Sequence, residues 1–150
     1  MRFVIVSLVT ICVGFSVHAT EVPSEFQNPY KYIGKSVSSV SRMLSTKPNE
    51  GNNIVIEKSD YEYFFETNNN KVTFADVRFI KTAPCSQTDD FNSEVLLKKL
   101  AINSNDVELV RKRSHFHTYY DHRNKLKIGV SCLYNGAPLN VSFSRKYYGN

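Results

Sequence analysis

The chain has 150 residues, 41% of them hydrophobic, and a formal net charge of +5 at pH 7. This length supports one domain with its own hydrophobic core and excludes two domains of ordinary size. The modest positive charge fits an acidic partner or an anionic surface, and it does not favour nucleic acid as the first choice of ligand.

The N-terminal segment, residues 1–19, has the order of a secretory signal peptide. Arg2 is its only charged residue, residues 3–15 are almost entirely apolar, and Val17-His18-Ala19 ends the run with small residues where signal peptidase cleaves. The apolar run is too short for a comfortable membrane-spanning helix. We therefore expect a mature protein of about 131 residues, 20–150, with a charge of about +4 and no membrane span. Its location would be periplasmic or extracellular.

Two cysteines, Cys85 and Cys132, remain after removal of this segment. In an oxidising compartment two thiols in one domain favour a single disulfide. The closed loop would hold about 48 residues, and the bridge could contribute about 4 kcal/mol. A catalytic thiol or a metal ligand is the alternative, but the sequence has no Cys-x-x-Cys pair and Cys132 falls within a strand pattern.

The first half of the mature chain predicts an extended arm, a short helix and about three strands. Residues 20–32 contain two prolines and no apolar period, which is typical of an extended segment. Ser36 is a suitable N-cap, and Val37, Val40 and Leu44 then form one apolar stripe.

Strand patterns follow the first helix. Residues 54–56 and 61–65 form the first two, and the third extends from Val72 to Phe79. The apolar residues of the third change parity within it. We therefore expect a β-bulge near Ala75 and Asp76, because one extra residue restores the alternation.

The second half repeats this order. Asp90 or Ser93 can cap a second helix, whose apolar side would be Leu96, Leu97 and Leu100. Strand patterns then cover 107–110, 114–121, 126–134 and 139–144. Hairpin connections imply antiparallel pairing. We predict a single α+β domain with an antiparallel sheet of about six to seven strands, two short helices packed on it, and one disulfide.

The first half also resembles one unit of the β-lactamase-inhibitor-like family of small exported proteins. The residues that carry this resemblance are Gly34-Lys35-Ser36, Val40, Leu44 and the aromatic hairpin over 61–65 and 72–79. Residues 93–146 would then be the second of two tandem units, each a helix followed by a short antiparallel sheet. The resemblance implies a non-catalytic protein whose sheet face or loops bind another protein.

The densest polar cluster lies between Arg111 and Arg123 and contains every histidine of the mature chain. Arginine and tyrosine on an exposed strand are typical of protein-binding surfaces. We expect residues 115, 117, 119 and 121 to face outward and residues 116, 118 and 120 to face the core. The candidate partner-binding residues are Arg111, Arg113, His115, His117, Tyr119, His122 and Arg123.

Two other functions are compatible with the same residues. His115 and His117 on a strand would lie about 6 to 7 Å apart on one side and could chelate zinc or copper with Asp121 or His122, although the neighbouring basic residues disfavour a cation. His115, His117 and His122 could instead act as acids and bases in a ribonuclease-like hydrolase. No recognisable nuclease motif surrounds them.

We therefore expect an exported non-catalytic domain that binds another protein, an enzyme or toxin, as an inhibitor or immunity protein. The sequence contains no cofactor motif and no catalytic motif such as Gly-x-Ser-x-Gly. A secreted hydrolase and a metal- or ligand-binding envelope protein are the alternatives. Asn140-Val141-Ser142 would be a glycosylation sequon in a eukaryotic host.

Overall fold

The computed structural model describes residues 22–81, 92–132 and 139–149. Over these residues the chain forms an antiparallel sheet of seven strands and two α-helices, which confirms the predicted α+β class. In chain order the elements are α1 (Val37–Met43), β1 (Ile54–Glu57), β2 (Tyr61–Asn68), β3 (Lys71–Phe79), α2 (Ser93–Lys99), β4 (Glu108–Arg113), β5 (Phe116–Asp121), β6 (Leu126–Ser131) and β7 (Leu139–Ser144).

The sheet consists of two meanders that share one central seam. Its strand order is β1-β2-β3-β7-β6-β5-β4, so the last strand of each meander pairs with the last strand of the other. At that seam Val77 pairs with Val141, and neither side chain is exposed to solvent. A helix precedes each meander, and β1 and β4 form the two edges of the sheet.

The core lies on one side of the sheet, here called the helix face. Paired residues in antiparallel strands place their side chains on the same side. One such row crosses the sheet from Tyr63 through Val77, Val141 and Val130 to His117. The apolar side of α2 packs here, and its predicted residues Leu96, Leu97 and Leu100 are all buried. The opposite side of the sheet is called the open face.

The N-terminal arm is not extended as predicted. It forms two 3-10 turns, Ser24–Phe26 and Pro29–Tyr32, and both turns contribute to the core. Phe26 stacks on Tyr63 with ring centroids 3.8 Å apart. The prediction was wrong because it weighed the prolines and the lack of period and gave no weight to the aromatic area that this segment buries.

Side-chain caps begin both helices. Ser36 caps α1 as predicted, since its Oγ accepts a hydrogen bond from the Ser39 amide at 3.3 Å. The cap of α2 is Asn92, whose Oδ1 accepts from the Glu94 and Val95 amides. Of the predicted candidates, Ser93 is instead the first helical residue with a buried side chain, and Asp90 lies outside the described residues.

The bulge in the second hairpin lies before the predicted position. The register shifts between Glu66 and Thr67, and Thr73 is the residue without a partner in that register. Val72 is therefore buried on one side of the shift, and Ala75 is buried on the other.

The predicted disulfide and signal peptide lie partly or wholly outside the described residues. Cys132 is buried directly after β6, on the apolar side predicted for it. Cys85 lies outside the described ranges, so the Cys85–Cys132 pairing stays a prediction, and so does the signal peptide over 1–19. Within the described ranges, no helix has the length and hydrophobicity needed to cross a bilayer.

Candidate functional site

The most exposed regular element is the edge strand β4. All six of its residues are solvent-exposed, including two apolar residues, Leu109 at 45% and Val110 at 39%. Arg111, Lys112 and Arg113 follow as three consecutive basic residues. In the described part of the chain, no ion pair joins any of the three to a carboxylate. This strand is called the basic edge below.

A register shift sets the direction of the basic side chains. Leu109 pairs with Tyr119 and Arg111 pairs with Thr118, which leaves Val110 as a bulged residue. After this bulge Arg111 and Arg113 lie on the open face and Lys112 lies on the other side, opposite His117. The bulge therefore places two guanidinium groups on the same side of the sheet.

Aromatic side chains flank the basic edge on the open face. Phe116 pairs with Arg113, Tyr120 pairs with Glu108, and both rings are half-buried. Tyr148 packs beside Tyr120 with ring centroids 5.2 Å apart. The open face thus combines arginine with aromatic area, which is the composition of protein-binding hot spots.

His122 joins the start of β4 to the C-terminal segment. Its Nε2 lies 2.6 Å from Glu108 Oε2, and its Nδ1 lies 2.8 Å from Tyr148 Oη. The histidine and the carboxylate are both more than half exposed. The strand register brings these residues together: Glu108 pairs with Tyr120 and therefore lies beside the turn that follows β5. Sequence reasoning singled out His122 but missed Glu108.

Phe116, Thr118 and Tyr120 lie on the open face and not toward the core as predicted. The predicted outward facing is equally wrong for His117, Tyr119 and Asp121. They are 5%, 3% and 6% exposed, and His117 and Tyr119 lie on the helix face. Ser93 Oγ lies 2.5 Å from His117 Nδ1 and is also hydrogen-bonded to Tyr119 Oη. Both sides of this strand carry polar and aromatic residues, so the alternation in the sequence does not say which side faces the core. The Ser93 hydroxyl of α2 gives His117 a hydrogen-bonding partner on the inner side. His117 and Tyr119 therefore offer little surface to a partner.

Burial lowers the pKa of His117 below its ordinary value of 6.5. The positive charge of Lys112 acts in the same direction, and a hydrogen bond with the Arg113 backbone opposes it. The imidazole is therefore neutral at neutral pH and serves as a hydrogen-bonding partner for Ser93.

The histidines do not form one site. His117 is buried against α2, His122 lies beyond the far end of β5, and His115 is in the β4–β5 turn with its Nδ1 3.0 Å from Ser114 Oγ. The six residues of β5 span about 20 Å, which separates the half-buried His115 from the exposed His122. Arg123 is also exposed at the far end, away from Arg113. No group of three or more metal-ligating residues occurs among the described residues.

A polar network crosses the open face at the central strands. Arg78 Nη1 lies 2.8 Å from Glu62 Oε1, and its Nε lies 3.3 Å from Asp76 Oδ2. Asn140 donates to Asp76 Oδ1 at 2.9 Å and accepts from the Ser131 hydroxyl. Burial raises the pKa of Asp76, and Arg78 and Asn140 partly offset this. The side-chain nitrogen of Asn140, the acceptor atom of the predicted sequon, is thus hydrogen-bonded within this network.

A cleft of about 210 Å³ lies at the far end of β5. Its polar side chains are those of Tyr30, Asn103, Asp106, Asp121, Arg123 and Asn124. Both oxygens of Asp121 are hydrogen-bonded to Asn124, at 2.8 and 2.7 Å. The buried carboxylate therefore stabilises the β5–β6 turn.

The comparisons with known proteins place this chain in no family. No protein-family model matches it, and no curated protein matches it. One solved structure, a cysteine-rich secretory protein from Staphylococcus aureus, has 10% sequence identity and a TM-score of 0.41 over 77% of this chain and 45% of that one. The chain spans less than half the length of that protein. The resemblance to the β-lactamase-inhibitor-like family stays a prediction.

Proposed function

We propose that this chain is an exported, non-catalytic domain that binds another protein as an inhibitor or immunity protein. The observation that carries the proposal is the basic edge together with its flanking aromatic residues. Arg111 and Arg113 share the open face with the half-buried rings of Phe116 and Tyr120. Such a surface can bury aromatic area and pair its guanidinium groups with carboxylates of a partner.

Charge indicates the chemistry of the partner surface. Three basic residues in sequence, without ion pairs among the described residues, attract an acidic surface and accelerate its association. Lysine and arginine at the rim act mainly on the association rate, whereas a fully covered guanidinium acts on dissociation. We therefore expect an acidic enzyme or toxin in the periplasm or the medium.

The separation of the histidines supports the non-catalytic form of the proposal. An acid–base pair must lie within hydrogen-bonding reach of the same reacting group. His117 is 5% exposed and engaged with Ser93, whereas His122 is exposed and engaged with Glu108. These two imidazoles lie in different surroundings and do not converge on one substrate position.

A capture experiment tests the proposal. The mature chain, residues 20–150, is immobilised and exposed to the periplasm or medium of its native host. We expect one stoichiometric partner, whose enzymatic activity falls when the purified chain is added. Failure to recover any partner under low-salt conditions, where charge pairing is strongest, would contradict the proposal.

Matched charge reversals localise the binding surface. Arg111→Glu with Arg113→Glu should abolish capture, because both guanidinium groups lie on the open face. Arg42→Glu with Lys47→Glu changes the net charge equally at exposed positions in and after α1 and should leave capture intact. Equal loss in both double variants would show that net charge alone was responsible.

A further inference from the structure

We propose that the partner binds by adding an extended, acidic segment as a strand along the outer edge of β4. This inference rests on the proposed protein-binding function and specifies its mode. Its basis is the backbone of the basic edge together with the order of its side chains. The occupant is a segment of a different protein in which acidic residues alternate with apolar ones.

The backbone of β4 is suited to strand addition. β4 pairs with β5 on one side only and ends the sheet, and no other described strand pairs with it. The amides and carbonyls on its outer side therefore face solvent along a strand of about 20 Å. The other edge strand, β1, has four residues, and Ile54 and Ile56 in it are buried. β4 thus offers the longer and more accessible template.

The side chains of β4 specify the added segment. Arg111 and Arg113 lie on the open face, so carboxylates at alternate positions of an added strand would lie opposite them. Leu109 and Lys112 lie on the other face, and Leu109 is 45% exposed, which favours an apolar residue opposite Leu109. The complementary segment therefore carries acidic residues on one face and mainly apolar residues on the other.

Basic residues and bulges also protect sheet edges from unwanted pairing. Two features distinguish β4 from a purely protected edge. Its bulge lies near the beginning of the strand at Val110, so Arg111, Lys112 and Arg113 keep regular pairing with β5. Leu109 and Val110 leave apolar area exposed beside these charges, which a protected edge avoids.

Charge argues against a second copy of this chain as the occupant. Pairing β4 with β4 of another molecule would bring the basic side chains of the two copies together, and like charges on adjacent strands are destabilising. β1 of another molecule offers only one carboxylate, Glu57, in its four residues. An acidic segment of a different protein fits better.

A peptide probe tests the mode of binding. A labelled peptide in which Glu alternates with Val is titrated with the mature chain at low salt. We expect saturable binding, no binding of the matched peptide in which Lys replaces Glu, and an affinity loss of roughly tenfold or more in the Arg111→Gln, Arg113→Gln variant. The Arg42→Gln, Lys47→Gln variant should bind as the unmodified chain does. A thermal melt of each variant verifies folding.

Amide hydrogen exchange distinguishes strand addition from side-chain contact. Binding should slow exchange at the β4 amides that do not bond to β5 and leave those already bonded to β5 largely unchanged. Peptide binding without this protection would overturn the inference, and so would the absence of peptide binding. Concentration-dependent assembly of the chain alone through β4, measured by light scattering, would also overturn it. If the captured partner still binds in any of these cases, the proposed function stands and only the mode fails.

Discussion

At the scale of single residues, buried polar groups divide into those with hydrogen bonds and those without. Ser93, His117 and Tyr119 satisfy one another beneath α2. The hydroxyl of Tyr63 is buried and has no hydrogen-bond partner within the described ranges. An unmade hydrogen bond costs stability in the fold, whereas a satisfied cluster specifies how α2 sits on the sheet.

We expect the free energy of unfolding to decrease as the pH falls below about 6.5, in part because of His117. Burial lowers the pKa of this imidazole in the fold, so the unfolded chain takes up a proton at higher pH than the folded chain does. Stability contributed by neutral His117 is present above the unfolded pKa and is lost as the pH falls towards the folded pKa. Urea unfolding at pH 7.5, 6.5 and 5.5 measures this. The His117→Asn variant should show a weaker pH dependence, and an unchanged dependence would contradict this role of His117.

Replacing Tyr63 by Phe should stabilise the protein by about 1 kcal/mol. The substitution removes a buried hydroxyl that lacks a partner and preserves the ring that stacks on Phe26 at 3.8 Å. Thermal unfolding of the two proteins compares them directly. A lower melting temperature for Tyr63→Phe would mean that this hydroxyl is hydrogen-bonded in solution.

At the scale of elements, the stability of a short helix and the packing of neighbouring strands each depend on a few side chains. α2 has seven residues, too few for stability in isolation, so its cap and its buried leucines hold it. Gly129 in β6 lies on the open face between Ser142 of β7 and the Phe116 ring of β5. Substitutions at the α2 cap and at Gly129 are therefore the most informative tests of how these elements are held.

Loss of the α2 cap should destabilise the fold by about 1 kcal/mol. Asn92→Ala removes the Oδ1 that accepts from the Glu94 and Val95 amides. Asp90→Ala serves as the comparison because the sequence offered Asp90 as a cap, whereas the observed cap is Asn92. Chemical denaturation midpoints decide between them. A larger effect of Asp90→Ala than of Asn92→Ala would contradict the assignment of Asn92 as the cap.

A methyl group at Gly129 should destabilise the sheet by about 1 to 3 kcal/mol. Its Cβ would lie 2.8 Å from Ser142 Oγ and 3.4 Å from the Phe116 ring. The double variant Gly129→Ala, Ser142→Ala should recover part of the loss, because it removes the nearer atom. Thermal melts of the single and double variants measure this coupling, and strict additivity would contradict the proposed clash.

At the scale of the whole molecule, one core unites the two meanders. Val77 and Val141 meet at the seam between β3 and β7, and both belong to the same buried cluster as the side chains of α2. Asn28 in the N-terminal segment donates its backbone amide to the Leu100 carbonyl at 2.8 Å, which ties the beginning of the described chain to its second half. The molecule should therefore unfold as one unit.

The expected Cys85–Cys132 disulfide would contribute to this unit. Reduction should lower the free energy of unfolding by about 4 kcal/mol, since the closed loop is long. Melting with and without reductant measures the effect, and mass spectrometry of the unreduced protein identifies the pair. Cys132→Ser also changes a side chain that is only 1% exposed, so reduction of the unmodified protein is the primary test. Two free thiols in the oxidised protein would refute the pairing.

Much of the fold was predictable because helices and strands follow from patterns of neighbouring residues in the sequence. The α1 cap at Ser36 and the alternation of Leu126, Ile128 and Val130 were confirmed by hydrogen bonding and burial. The candidate site was only partly predictable. Arg111 and Arg113 are exposed as expected, whereas His117 is buried, because alternation alone does not say which side of a strand faces the core.

Sequence by itself determined the α+β class, the order of helices and strands, and the presence of a dense polar cluster between Arg111 and Arg123; that β4 extends through Arg113 was decided by the structure. These follow from periodicity, capping and turn chemistry within a few residues. Only the tertiary structure decided that β4 lies at an edge, that Glu108 meets His122, and that Ser93 meets His117. Such facts depend on strand order and on contacts between residues far apart in the chain, which no local pattern specifies.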